Sequence, residues 1–195
     1  NELPDISVKF RTDPERFYPF LRDDNLARPW AIPGTPGLEH RIGGLEKADV
    51  YGTVNYDPDN HDKMVKLRTE KIKRIVNDIP DLEVDGDDHG DLLVLGWGGT
   101  YGSIKDAVNK ARKSGLKVSQ AHLRYLNPMP KNTGQVLKNF KRILIPEINL
   151  GQLAHLIRSE YLISVEQLNV VRGLPLKVND ILEKINSLLG GGNGK

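Results

Sequence analysis

Asp91–Leu123, DLLVLGWGGTYGSIKDAVNKARKSGLKVSQAHL, decides how the chain folds. Leu92-Leu93-Val94-Leu95 is an unbroken apolar run, the pattern of a strand covered on both faces. Gly96-Trp97-Gly98-Gly99-Thr100-Tyr101-Gly102 follows, and its glycines allow a tight turn. Ile104, Ala107, Val108 and Ala111 then recur at helical steps, with lysines and an arginine on the opposite face. Ser114-Gly115 closes that helix, and Leu116–Leu123 alternates as the next strand. The stretch is one βαβ unit.

Downstream the alternation continues. Tyr125–Pro130 reads as a loop, a short helix carries Val136, Leu137 and Phe140, and Arg142–Pro146 is a third strand. A helix on Leu153, Ile157 and Tyr161, a strand over Ile163–Val171 and a last helix on Val178, Ile181, Leu182, Ile185 and Leu188 complete the series. Such alternation predicts a three-layer α/β/α domain over residues 91–190 with a mostly parallel sheet. The tail 191–195, GGNGK, is expected to be disordered.

The first 55 residues differ in kind. Prolines at 4, 14, 19, 29, 33 and 36 interrupt every run, yet Phe10, Phe17, Tyr18, Phe20, Leu21, Trp30 and Ile32 are too many apolar residues for a disordered tail. A long irregular segment with this much apolar surface is expected to pack on a partner or on further protein. Residues 56–90 read as an amphipathic helix and an acidic linker. Asp57-Pro58 starts the helix and Ile79-Pro80 ends it, with Val65, Ile72, Val76 and Ile79 as its stripe, flanked by Met64, Leu67 and Ile75. Its basic face (Lys63, Lys66, Arg68, Lys71, Lys73, Arg74) reads as solvated rather than nucleic-acid-binding, and Asp85–Asp91 as a polar linker rather than a calcium loop.

The chain of 195 residues has no cysteine, which fits a cytoplasmic protein and excludes thiolate ligation within it. Its formal charge of +2 suggests neither nucleic acid nor membrane as a partner. No apolar run is long enough to span a bilayer, and the five histidines show no metal-ligand spacing. His122 and His155 read as satisfied residues at a strand end and on a helix. The loops expected at the carboxyl ends of the strands are Gly96–Gly102, Arg124–Pro130 and Glu147–Gln152. The first has Gly-x-Gly-x-x-x-Gly spacing and no acidic residue after the second strand, so a structural turn competes with NADP binding by Gly96, Gly98, Gly102 and Arg124. Glu39-His40-Arg41 sits between glycines, either as an exposed loop or as one that meets a carboxylate or partner.

Arg28–Lys47 (RPWAIPGTPGLEHRIGGLEK), Leu93–Gly102 (LVLGWGGTYG), His122–Pro130 (HLRYLNPMP) and Pro146–Leu162 (PEINLGQLAHLIRSEYL) together resemble the alpha subunit of bacterial 2-oxoacid:ferredoxin oxidoreductases. Arg41-Ile42 stands where other branches tend to have an acidic pair, which points to the 2-oxoglutarate type. The resemblance implies the C-terminal portion of a longer chain whose pyrimidine-binding domain would precede Asn1. Residues 91–190 would be a transketolase C-terminal-like domain, its sheet carrying one antiparallel strand. The enzyme it implies uses thiamine diphosphate, magnesium and a [4Fe–4S] cluster to decarboxylate a 2-oxoacid, reduce ferredoxin and form an acyl-CoA from coenzyme A. In the family the beta subunit holds the pyrophosphate–magnesium site and the cluster cysteines. This portion would then bind no cofactor, contain no complete active site and serve assembly, with Glu39, His40, Arg41, Asn149 and Gln152 facing an interface or substrate. The rival is a free-standing NADP-binding module.

Overall fold

The computed structural model describes residues 7–190, so the expected disordered tail at 191–195 lies outside the described residues. The chain divides between Asn77 and Asp78 into two compact units.

The second unit is a five-stranded sheet of order β1-β3-β2-β4-β5. Its strands are β1 (Val84–Asp85), β2 (Gly90–Trp97), β3 (Ser119–Leu123), β4 (Phe140–Glu147) and β5 (Glu166–Asn169). All neighbours are parallel except β1 and β3. Helices α2 (Tyr101–Lys113), α3 (Thr133–Lys138), α4 (Gln152–Tyr161) and α5 (Val178–Leu189) cover both faces. This is the expected three-layer, mostly parallel arrangement with one antiparallel strand. Leu92, Leu93, Val94 and Leu95 have no exposed surface. Leu93 and Leu95 join Ile143, Ile145, Leu153 and Ile157 on the α3–α4 face, while Leu92 and Val94 join Leu144, Ile104, Val108 and Ile181 on the α2–α5 face. Each such burial contributes roughly 1.5–3 kcal/mol.

Several boundaries differ from the sequence expectation. The second strand begins at Ser119 rather than Leu116, because Leu116 N–H donates to Ala111 C=O and extends the end of α2. The strand expected over 163–171 pairs with β4 only at 166–169, and Phe140 opens β4 instead of closing α3. The stretch Asp85–Asp91, read as a linker, supplies an edge strand and the start of β2. Lys105 and Arg112 reach the Asp85 carboxylate from α2, so an acidic residue that looks like linker is held in the sheet from a distant helix. Those two cations hold its pKa below the usual carboxylate value, Lys105 foremost.

In the first unit, irregular backbone carries isolated bridges between Phe10 and Trp30, Phe20 and Val50, and Lys47 and Val54. Helix α1 (Pro58–Arg74) starts as expected, with the Asp57 carboxylate accepting Asp59 N–H at 3.0 Å and proline in the first turn. It ends at Arg74, before a 3-10 turn at Ile75–Asn77, and not at Ile79. Within α1 only Met64 is fully buried, while Val65, Ile72 and Ile75 remain about two-fifths exposed (41, 40 and 41%). An irregular segment without a second layer covers one row of an amphipathic helix, not its full stripe. Part of the basic face is not simply solvated: Arg68 and His61 meet Glu46 at 3.1 and 2.8 Å, and Lys63 meets Asp49 at 2.6 Å.

Arg68 is the chief reason the Glu46 carboxyl is held down to about 2. A carboxyl whose pKa falls on folding stabilises the native state above its unfolded value, and that contribution disappears as pH falls through the folded one. Acid titration should therefore weaken the first unit progressively from about pH 4.5 down to about pH 2. Glu46→Gln should remove this step and cost about 1–2 kcal/mol at neutral pH, after allowance for the partly exposed partners, by urea denaturation across pH.

A second prediction concerns Gly96. A Cβ there would stand 2.6 Å from Ile104 Cδ1 and 3.1 Å from His122 Nδ1, so a side chain at this position would have to displace the end of the buried Ile104. Gly96→Ala should lower stability by about 1–3 kcal/mol, seen as a reduced Tm, with secondary structure retained.

Candidate functional site

In an open α/β sheet the natural ligand crevice lies where successive connections leave in opposite directions, beyond the carboxyl ends of the strands. Here that point is between β2 and β4, because β2 leads through α2 to β3 on one side and the chain then crosses to β4 on the other. The crevice is closed by the chain's own side chains. Glu147, at the end of β4, has no exposed surface, and its carboxylate accepts from Trp97 Nε1 at 3.1 Å, Leu153 N at 2.9 Å and Ala154 N at 3.2 Å. The carboxylate occupies the positive end of α4, where a ligand anion would otherwise sit. Asn149 Oδ1 accepts Gly151 and Gln152 N–H at 2.8 and 2.9 Å, so this oxygen is also engaged in starting α4; Gln152 remains exposed.

The glycine turn is rigid for a separate reason. Thr100 Oγ1 donates to Trp97 C=O at 2.8 Å and accepts Trp97 N–H at 3.2 Å, and Gly98 adopts a positive φ of 55°. Gly96 is required by the packing of Ile104, while Gly98 and Gly102 border open space. Arg124 lines a cleft whose walls include none of these three glycines.

That cleft, of about 770 Å³, lies where the chain before β1 peels away from β3. β1 pairs with β3 only through Val84–Ala121 and Asp85–Gln120. Immediately upstream, the Asn132 amide takes both Leu82 N–H at 2.8 Å and Leu82 C=O at 3.0 Å, diverting them from the sheet. Gln120 and His122 lie on the α2 face of β3 and line the opening with Tyr101 and Arg124. His122 is not the satisfied residue that sequence reading expects: among the described residues its Nδ1 has no partner, nor do Nε2 and Oε1 of Gln120. Burial lowers the His122 pKa, with the Arg124 charge adding to it and the Gly98 backbone opposing it. The Tyr101 ring stands edge-on to the imidazole, with centroids 5.1 Å apart. Gln120 escaped sequence reading; its signal is an amide inside a strand whose alternate residues Ala121 and Leu123 are core.

In the first unit, Leu38 anchors the 37–44 loop at 3% exposure. His40 Nδ1 lies 2.8 Å from Leu38 O and its ring meets Phe17 edge-on at 5.1 Å, while Glu39 and Arg41 are exposed. The buried Lys47 ammonium donates to Gly43 and Leu45 C=O, fixing the end of the loop. The loop thus presents two opposite charges on a held backbone.

Glu147→Ala should cost about 3–5 kcal/mol in chemical denaturation, because three N–H donors from β2 and α4 lose their acceptor in a dry site. Glu147→Gln keeps the shape and one acceptor oxygen and should cost less, about 1–3 kcal/mol.

Comparison with known proteins agrees with this architecture. Residues 90–181 match the pyruvate:ferredoxin oxidoreductase core domain II. The chain is 50% identical, over 98% of its length, to the 2-oxoglutarate oxidoreductase subunit KorA of Mycobacterium tuberculosis, of which it covers 29%. It is 31% identical, over 70% of its length, to the 2-oxoglutarate synthase subunit KorA of Methanocaldococcus jannaschii, covering 35% of that protein. The structure superposes on the 2-oxoglutarate:ferredoxin oxidoreductase from Magnetococcus marinus, solved with 2-oxoglutarate, coenzyme A and succinyl-CoA bound, with a TM-score of 0.84 and 29% identity over 93% of this chain and 32% of that one. The chain therefore spans about a third of the length of these relatives. Along its length the chain is similar to alpha subunits of 2-oxoacid:ferredoxin oxidoreductases.

Proposed function

We propose that this chain forms the supporting and assembly part of the alpha subunit of a thiamine-diphosphate-dependent 2-oxoglutarate:ferredoxin oxidoreductase, working in the cytoplasm. The observation that carries the assembly role is the apolar surface of the first unit. Trp30, Ile32, Ile42, Tyr51 and Tyr56 are 59, 54, 65, 66 and 82% exposed within one unit of 77 residues. Five large apolar side chains this exposed in one small unit call for cover. The partners in this reading are the rest of the alpha subunit and a beta subunit, with ferredoxin and coenzyme A serving the whole complex.

The residues present do not fit the iron–sulfur cluster of such an enzyme. With no cysteine the chain has no thiolate for a [4Fe–4S] cluster. Among the described residues no three metal-ligating side chains converge. The cluster accordingly needs the cysteines of another chain, and this reading places magnesium and thiamine diphosphate with it. Glu39, His40 and Arg41 contribute to this reading as charged groups on the fixed 37–44 loop, set to meet an interface or the active-site rim.

The chain alone should show no 2-oxoglutarate-dependent dye reduction. In the full complex, replacing His40 and Arg41 with alanine should raise KM for 2-oxoglutarate about tenfold or weaken subunit association to the same degree. Turnover by the chain alone would refute the supporting role. Wild-type kinetics and assembly in the double variant would remove the loop from it.

A further inference from the structure

A basic pocket in the first unit is left unused by the assembly role. It has a volume of about 530 Å³, and five cations, Arg22, Arg28, Lys47, Arg68 and Lys71, line it with a single carboxylate, Glu46. Glu46 is already engaged by Arg68 and His61, and the Lys47 ammonium by two loop carbonyls. Among the described residues Arg28 and Lys71 form no ion pair.

Arg22 makes this a built site and not a scatter of surface charge. Its side chain is only 9% exposed. The hydrogen bonds it makes among the described residues all leave from Nη1, to Phe20 C=O at 3.3 Å, Asp49 Oδ1 at 3.5 Å and Met64 Sδ at 3.8 Å. The Asp49 contact is long, and the other oxygen of that carboxylate is held by Lys63 at 2.6 Å. Nε and Nη2 of Arg22 have no partner among the described residues, yet they are not among the sealed polar atoms of the fold and remain open to the pocket that Arg22 lines. Burial lowers the Arg22 pKa; Asp49 opposes that, and the charges of Arg28 and Arg68 add to it. A guanidinium that has lost most of its water for a long contact to a shared carboxylate favours an anionic guest.

The arrangement of the donors selects the anion. Arg22 and Arg28 come from the irregular segment, and Arg68 and Lys71 from α1. A planar carboxylate satisfies one guanidinium fork, whereas a phosphate dianion presents three oxygens to donors that converge from different directions. The Arg28 guanidinium is held in place over the Phe20 ring, 4.3 Å from its centroid. Ile42 and Leu45, 65 and 52% exposed, give the pocket an apolar rim that inorganic phosphate would leave uncovered.

We propose that this pocket binds a small organic phosphate. Its phosphoryl group accepts from Nε and Nη2 of Arg22, Arg28 and Lys71 complete the neutralisation, and its organic part lies on Ile42 and Leu45. The site lies wholly within the first unit, and titration of the chain itself separates this proposal from the assembly role, in which a partner is required.

The test is titration calorimetry of the full chain, at fixed ionic strength, with adenosine monophosphate, glucose 6-phosphate and phenyl phosphate, and with inorganic phosphate and citrate as anions lacking the ester. At least one ester should bind saturably below about 1 mM and at least about tenfold more tightly than citrate or inorganic phosphate. Arg22→Met should weaken that binding at least about tenfold, and Lys71→Ala roughly threefold or more. Lys66→Ala removes the same charge from α1 outside the pocket, where Lys66 pairs with Asp62, and should leave binding unchanged. Saturating ester should raise the Tm of the parent chain and not that of Arg22→Met. Should Arg22→Met fail to fold, the exposed pair Lys71→Ala and Lys66→Ala still decides the matter. Absence of saturable ester binding, citrate or inorganic phosphate binding as tightly as every ester, or equal losses from Lys71→Ala and Lys66→Ala would each overturn the proposal.

Discussion

A strand without a wet face must be covered twice, and Leu92–Leu95 imposes that demand on everything around it. Each of these side chains has no exposed surface, and they point alternately to opposite faces. Two helical layers are the answer, and parallel neighbours follow because helices are the connections that cover both faces. The closeness of one layer is set at a single atom. Without a Cβ at Gly96, Ile104 reaches the sheet, and the first turn of α2 brings Tyr101 beside His122.

The central strand also fixes where polar chemistry can and cannot occur. Its end, Trp97, reaches across to the Glu147 carboxylate, which in turn takes the first free N–H groups of α4. One buried anion thus joins the ends of β2 and β4 to the start of the helix that packs on the same face. The same contact uses up the anion-binding capacity of that helix end, at the point where doubly wound sheets commonly hold ligands. Open polar surface is displaced sideways, to the edge where β1 gives out after two residues.

The parts of the fold legible in the sequence are those written in periodic burial. Leu92–Leu95, the Ile104–Ala111 stripe and the Ile181–Ile185 face could be read because a buried row repeats at the period of its own element. Asp57-Pro58 could be read because capping is local chemistry. β1 could not: Val84–Asp85 is a strand only because Lys105 and Arg112, some twenty or more residues away, hold the aspartate beside β3. The end of α1 was hidden likewise, since its apolar stripe runs on in the sequence past the point where its unit can cover it. Gln120 and Glu147 look like ordinary polar residues in a list. Among the described residues one has no partners and the other has three, because Glu147 ends its strand at the start of α4.

This contrast separates two kinds of buried polar group with different consequences. Glu147 is complete within the chain: its hydrogen bonds run to backbone and indole donors, so removing it unfastens structure and nothing outside the molecule is needed to explain it. Gln120 is incomplete among the described residues, although Val94, opposite it on β2, and Val118 on the same face of the sheet are apolar core. An apolar side chain of similar volume would satisfy the same space at lower free energy. The buried carboxylate therefore marks the architecture, whereas the amide is a cost that the packing of the described residues does not offset.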